Sequence, residues 1–212
     1  MKFGTNRKAT SIIEAMIVML IIVTGVTGMY NMFSKSVDLS NTTMNKIQAI
    51  QMATQGIEGV TNIRDTNWLL FSSDYKNCWN TLNYDASCIG NDNDDNYKIL
   101  QDNLGYKIYR DSFNRWLLTS TGSSSDYTSS SYRNFFRVGL KDGVYAQTGT
   151  VDNFRPLFTR EIIFNYLEAD GTTIGDEFSP KMKITAIIQW VDNTSTVPHK
   201  IEINQLLSNW KK

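Results

Sequence analysis

Twenty consecutive residues, Ala15 to Ser34, contain no Asp, Glu, Lys or Arg. At a helical rise of 1.5 Å per residue such a run measures roughly 30 Å, the thickness of a bilayer's hydrocarbon core. A stretch this apolar must be covered by lipid or by protein, and it is longer than the apolar core of an ordinary secretory signal. No convincing small-x-small cleavage pattern follows it, so the sequence predicts a retained helix. Basic residues precede the run, Lys2, Arg7 and Lys8. That asymmetry predicts a cytoplasmic amino terminus and an extracytoplasmic chain beyond about residue 34.

One acid, Glu14, sits just inside the start of this run. An unpaired carboxylate in hydrocarbon costs several kcal/mol, and a membrane anchor with no other role has little use for one. The stretch Lys8-Ala9-Thr10-Ser11-Ile12-Ile13-Glu14-Ala15 resembles the cleavage and methylation motif of type IV prepilins and pseudopilins. In that family a short basic leader is removed before an apolar helix, and a glutamate is the fifth residue of the mature chain. The resemblance implies a leader of residues 1–9, cleavage between Ala9 and Thr10 by a prepilin peptidase, and N-methylation of Thr10. It departs from the family pattern in having Ala9 where glycine is usual before the cut and Thr10 where phenylalanine is frequent after it.

The same resemblance gives Glu14 a role in assembly, pairing with the free Thr10 amine of an adjacent subunit. Such a pair would set the register of otherwise featureless apolar helices. The bland alternative is a glutamate at headgroup level with no partner. The partners implied are other pilin subunits, the prepilin peptidase, an inner-membrane assembly platform and, before assembly, membrane lipid.

Beyond the apolar run, Met44, Ile47, Ile50, Ala53, Ile57, Val60 and Ile63 recur every three or four residues, the signature of a one-faced helix. Gly56 and Gly59 within this pattern mark either close packing or a fraying end. No proline precedes Pro156, so one continuous helix of roughly 80 Å from Ser11 to Arg64 is allowed. It would be apolar all round in its transmembrane half, residues 12–34, and amphipathic in the remainder. After Asp65 the composition changes to aromatics, Asn, Asp and Ser, which places a globular head at residues 65–212.

Strand patterns dominate the head. Residues 106–110 and 115–120 read as a hairpin around Asp111 to Asn114. Residues 123–131 read as a Ser-rich connection. Residues 158–167 alternate, with Arg160, Ile162, Phe164 and Tyr166 on the more apolar face. Residues 183–191 and 200–207 read as a second hairpin. The sequence from Lys181 through Trp190 to Trp210 is similar to the carboxy-terminal sheet of minor pilins and minor pseudopilins. The fold expected is therefore α+β, a long N-terminal helix packed on a C-terminal antiparallel β-sheet head.

The two cysteines, Cys78 and Cys88, lie beyond the apolar run, where an oxidising compartment would let them pair. Two free buried thiols are the alternative. The acidic loop at residues 90–96 offers Asp92, Asp94 and Asp95 as calcium ligands, and some members of the resembled family bind calcium in the head. The loop lacks the glycine and distal glutamate of an EF-hand, with Tyr97 and Asn103 in those places, so a solvated loop is the commoner explanation and no cofactor is assigned.

Charge is balanced at 21 basic and 21 acidic residues. Without the leader the count is 18 against 21, a formal balance of −3, which gives no electrostatic reason for nucleic acid as a main partner. The single histidine, His199, sits beside Pro198 at an expected exposed turn with no nucleophile at a recognisable spacing. Tyr75, Tyr127 and Tyr132 are either surface contacts for glycans or ordinary core and rim. The sequence is thus read as a structural filament subunit and not an enzyme. The rival reading is a permanently anchored extracytoplasmic binding or adhesion module, in which the helix is only a tether.

Overall fold

The computed structural model describes residues 12–90, 99–120, 126–141, 144–147, 157–176, 178–192 and 197–209. It divides into two compact units, residues 1–44 and 45–212. The described residues of the first, from Ile12 on, are helical. The second contains the remainder of that helix and a sheet.

Helix α1 runs Ile12–Leu70 without interruption. Within the second unit, Ala49, Met52, Ala53, Gly56, Ile57, Gly59, Val60, Ile63, Asn67 and Trp68 are buried. Three of the residues expected on this face are not on it: Met44, Ile47 and Ile50 are 62, 52 and 46% exposed. Successive steps of three residues lag a 3.6-residue turn, so the series 44, 47, 50, 53 rotates by about half a turn around the helix. The buried face is instead set by small residues. A Cβ on Gly56 would lie 3.0 Å from Ile162 Cδ1 and 3.2 Å from Arg160 Cδ, and one on Gly59 2.6 Å from Ile108 Cδ1 and 3.0 Å from Trp116 Cδ2. These glycines mark close packing, not a fraying end.

The helix continues six residues past the expected boundary at Arg64. Asn67 explains the extension, because its side-chain amide donates to the Thr81 carbonyl at 3.1 Å. Arg64 also stacks over the Trp68 ring at 4.5 Å. Tertiary contacts thus hold a last turn whose composition alone reads as non-helical.

Seven antiparallel strands form the sheet: β1 Gly105–Arg110, β2 Trp116–Ser120, β3 Arg137–Lys141, β4 Val144–Ala146, β5 Phe158–Leu167, β6 Lys181–Trp190 and β7 His199–Ser208. The expected β1–β2 and β6–β7 hairpins are present, with β6 and β7 each shifted by one or two residues. In register, Arg110 pairs with Trp116 and Trp190 with His199. Strand β5 is the centre. One edge pairs with β6 from Thr159 to Leu167, while the other is shared, Phe158 and Thr159 pairing with β3 and Ile162 and Ile163 with β1. The α+β fold with a long N-terminal helix and an antiparallel sheet is as the sequence predicts.

Of the Ser-rich stretch, Ser130 and Ser131 belong to a short helix, α3, Ser130–Phe136, which lies against β5 and β1. Tyr127 and Tyr132 are buried with Phe136, and Tyr75 packs on the main core, so these rings are core and rim.

Gly59→Val is expected to lower stability by about 1–3 kcal/mol through overpacking against Trp116. Gly28→Ala, where a Cβ meets nothing within 4 Å, should leave the sheet's unfolding unchanged. Urea unfolding of the full chain in detergent, followed by tryptophan fluorescence, separates the two.

Candidate functional site

The apolar segment of α1 is the feature most in need of a partner. Every residue from Ile12 to Phe33 is exposed, including fifteen large apolar side chains. Leaving these in water instead of burying them is unfavourable by roughly 20–45 kcal/mol at 1.5–3 kcal/mol each. A folded domain's whole net stability is only about 5–15 kcal/mol, so the segment needs an apolar environment that no other described residue supplies. It is long and apolar enough to cross a membrane.

Local chemistry suits such a setting. The Thr24 and Thr27 hydroxyls donate back to the carbonyls of Leu20 and Val23, each at 2.9 Å, which satisfies them without water. Glu14 has no such arrangement. It lies in the first described turn of α1, exposed, with no ion pair to another described residue. Ala9 and Thr10 lie outside the described residues, as do Asp92, Asp94 and Asp95. Among the described residues no group of three His, Cys, Asp or Glu could hold a metal ion.

Cys78 and Cys88 form a disulfide, with Cα atoms 5.2 Å apart. Cys78 closes the short helix α2, Tyr75–Cys78, and Cys88 ends a 3₁₀ turn, Ala86–Cys88. Both sulfurs are buried in a small cluster with Phe71 and Ile99. Asp74 fastens the loop from outside, its carboxylate accepting from the Gly90 amide at 2.8 Å and the Asn77 side chain at 3.1 Å.

A buried polar cluster that periodicity did not single out centres on Arg160. Fully buried in β5, its Nε donates to Gln147 Oε1 at 2.9 Å. One terminal nitrogen donates to the Met52 carbonyl at 3.1 Å and to Gln55 Oε1 at 2.7 Å, and the other to the Ile108 carbonyl at 3.1 Å. Burial pushes this guanidinium down to about 9, which leaves it cationic at neutral pH. It ties the helix, β1, β5 and Gln147 together through neutral oxygens. The one sequence signal was an arginine on the apolar face of a strand.

His199 is not in an open turn. It begins β7, half-buried, stacked on Trp190 at 5.3 Å with Nε2 3.2 Å from Asp192 Oδ2. The other carboxylate oxygen of Asp192 accepts from Asn45 of α1 at 2.7 Å and from the Trp190 indole at 3.0 Å. The imidazole and carboxylate therefore fasten the helix to the β6–β7 end. No Ser, Thr or Cys side chain is hydrogen-bonded to His199 among the described residues.

Compared with models of protein families, with curated proteins and with solved structures, the chain matches none.

Removing the bridge by Cys78→Ala with Cys88→Ala is expected to cost roughly 2.5–3 kcal/mol, the chain-entropy value for so short a loop. Differential scanning calorimetry of the full chain, with and without reductant, reads this as a lowered Tm that reductant reproduces in the wild type only.

Proposed function

We propose that the chain is a structural subunit of a filament of the type IV pilin or type II secretion-like kind, a minor pilin or pseudopilin, assembled through its N-terminal helix. The observation that carries this reading is the pairing of an all-round exposed apolar helix with a single acid, Glu14, that has no cation to meet within its own described chain. Lipid can cover the apolar side chains, but it supplies no counter-ion at that depth. A free amine at Thr10 of a second subunit would do so.

In this reading the helix first anchors the chain in the cytoplasmic membrane, with the amino terminus inside and the head outside. Prepilin peptidase cleaves after Ala9, Thr10 is methylated, and the assembly platform transfers the subunit from lipid into a fibre. Lateral contacts between helices then replace lipid contacts. The exposed Met44, Ile47 and Ile50 support this, since they extend the apolar surface beyond the segment that a bilayer would cover. The oxidised Cys78–Cys88 pair supports an extracytoplasmic head.

Glu14→Leu makes the helix more apolar and preserves anchoring, and is expected to lower incorporation into surface fibres at least about tenfold, since it removes a charge pair in a low-dielectric setting. Ala9→Trp should retain the leader and have the same outcome. Sheared fibres and membrane fractions are compared by immunoblot. Normal incorporation of both variants would leave the helix as a tether and the head as an anchored binding module.

A further inference from the structure

The face of β5 turned away from α1 carries a second buried ionisable group. Glu161 is 5% exposed and lies beneath α3. From α3, the Tyr132 hydroxyl donates to Glu161 Oε2 at 2.6 Å and also reaches Gln189 Oε1 of β6 at 3.1 Å. From β1, Gly105 approaches so closely that a Cβ there would lie 2.1 Å from Glu161 Oε1 and 3.2 Å from the Phe136 ring. A side chain at position 105 would require the carboxylate to move.

Two cations stand on this side of the sheet without a hydrogen bond to the carboxylate, Lys107 of β1, which lies over the Phe135 ring, and Arg137 of β3, paired in register with Thr159. Lys200 of β7 attracts it, though Lys200 is itself bonded to Glu202, and Asp126, just before α3, acts on Tyr132 with the same sign as Glu161. Among the described residues, Tyr132 is the one donor whose hydrogen bond reaches Glu161. Burial is the larger influence and pushes the Glu161 carboxyl up, against the lowering effects of Tyr132 and Lys200. Burial, then Glu161 itself, pushes the Tyr132 phenol up as well, so it remains a donor.

Helix α3 has a modest hold. It has seven residues and no N-cap side-chain hydrogen bond. Its seat consists of the aromatic cluster Tyr127, Tyr132, Phe135 and Phe136, the Tyr132 hydrogen bond, Lys107 of β1 4.6 Å over the Phe135 ring and, at its last residue, the Phe136 carbonyl accepting from Gln147 Nε2 at 2.8 Å, which makes Phe136 the hinge end. Arg133 only braces the preceding turn, donating to the Tyr127 and Thr128 carbonyls.

We propose that α3 is a proton-gated flap, seated on the sheet while Glu161 is protonated and lifted when Glu161 ionises, which exposes the aromatic cluster and the outer face of β5. The carboxylate beneath α3 exchanges several water contacts for one phenol. Lifting α3 returns water to it, and this differential hydration drives opening. The sign follows from the raised value in the seated state. The seated state has its full stability below the ordinary glutamate range and loses it as pH rises through the seated-state value. The flap concerns the sheet alone and stands whether or not the chain assembles into a fibre.

Hydrogen exchange of the full chain in detergent micelles, corrected for intrinsic rates, tests this on amides 130–136 with β6 amides as internal control. Protection of α3 is expected to fall at least about tenfold between about pH 5 and about pH 8, with β6 unchanged. Glu161→Gln keeps the acceptor for Tyr132 and should give high protection at both pH values. Tyr132→Phe should lower protection at both while retaining the pH dependence. Wild-type protection that does not vary with pH overturns the proposal without recourse to any variant, as does a Glu161→Gln protein that keeps the wild-type pH profile.

Discussion

Close approach between the second part of α1 and the sheet is the contact on which the head depends. Gly56 and Gly59 remove side chains where Ile162, Arg160, Ile108 and Trp116 advance. Met52, Ile57, Val60 and Ile63 then contribute apolar area beside them, each worth about 1.5–3 kcal/mol when fully buried. Arg160 fixes the register by reaching the Met52 carbonyl, and Asp192 holds Asn45 in the same way nearer the start of the unit. Glycine inside a helix is unfavourable by about 1 kcal/mol relative to alanine. The fit of two residues of the sheet against each glycine offsets that loss.

The remainder of the same helix obeys the opposite rule. Among the described residues Ile12 to Phe33 are all exposed, and the Thr24 and Thr27 hydroxyls within that segment bond back to the helix itself. A continuous helix thus carries two chemistries, one completed by intramolecular packing and one that must be completed by lipid or another molecule. The proposed filament would use that incompleteness, because a subunit that had buried its own helix would have nothing left to share.

The sequence made the large elements legible because their periodicities are long and uninterrupted. The uncharged run, the alternation in β5 and the two hairpins each repeat one pattern over many residues. Where it misled, the signal was short or tertiary. Met44, Ile47 and Ile50 have helical spacing yet drift off the buried face, since small residues, not large ones, choose that face. The last turn of α1 rests on the Asn67 contact with Thr81, fourteen residues further on, which no local pattern encodes. His199 read as a turn residue because its partners, Trp190 and Asp192, come from the strand and connection before it. Arg160 and Glu161, adjacent in sequence, face opposite sides of one sheet, and their burial follows from α1 on one side and α3 on the other. The cysteine pair was legible as a possibility from compartment and spacing. The leader junction and the acidic loop at residues 92–95 lie outside the described residues, and their reading rests on sequence alone.

In the proposed filament, the acid in the apolar helix is matched by an amine that processing creates. Mass spectrometry of the amino terminus of the mature protein, isolated from its native membrane and surface fractions, tests it most directly. The expected result is a chain beginning at methylated Thr10. A chain that still begins at Met1 would contradict it, because no such amine would then exist for Glu14 to meet.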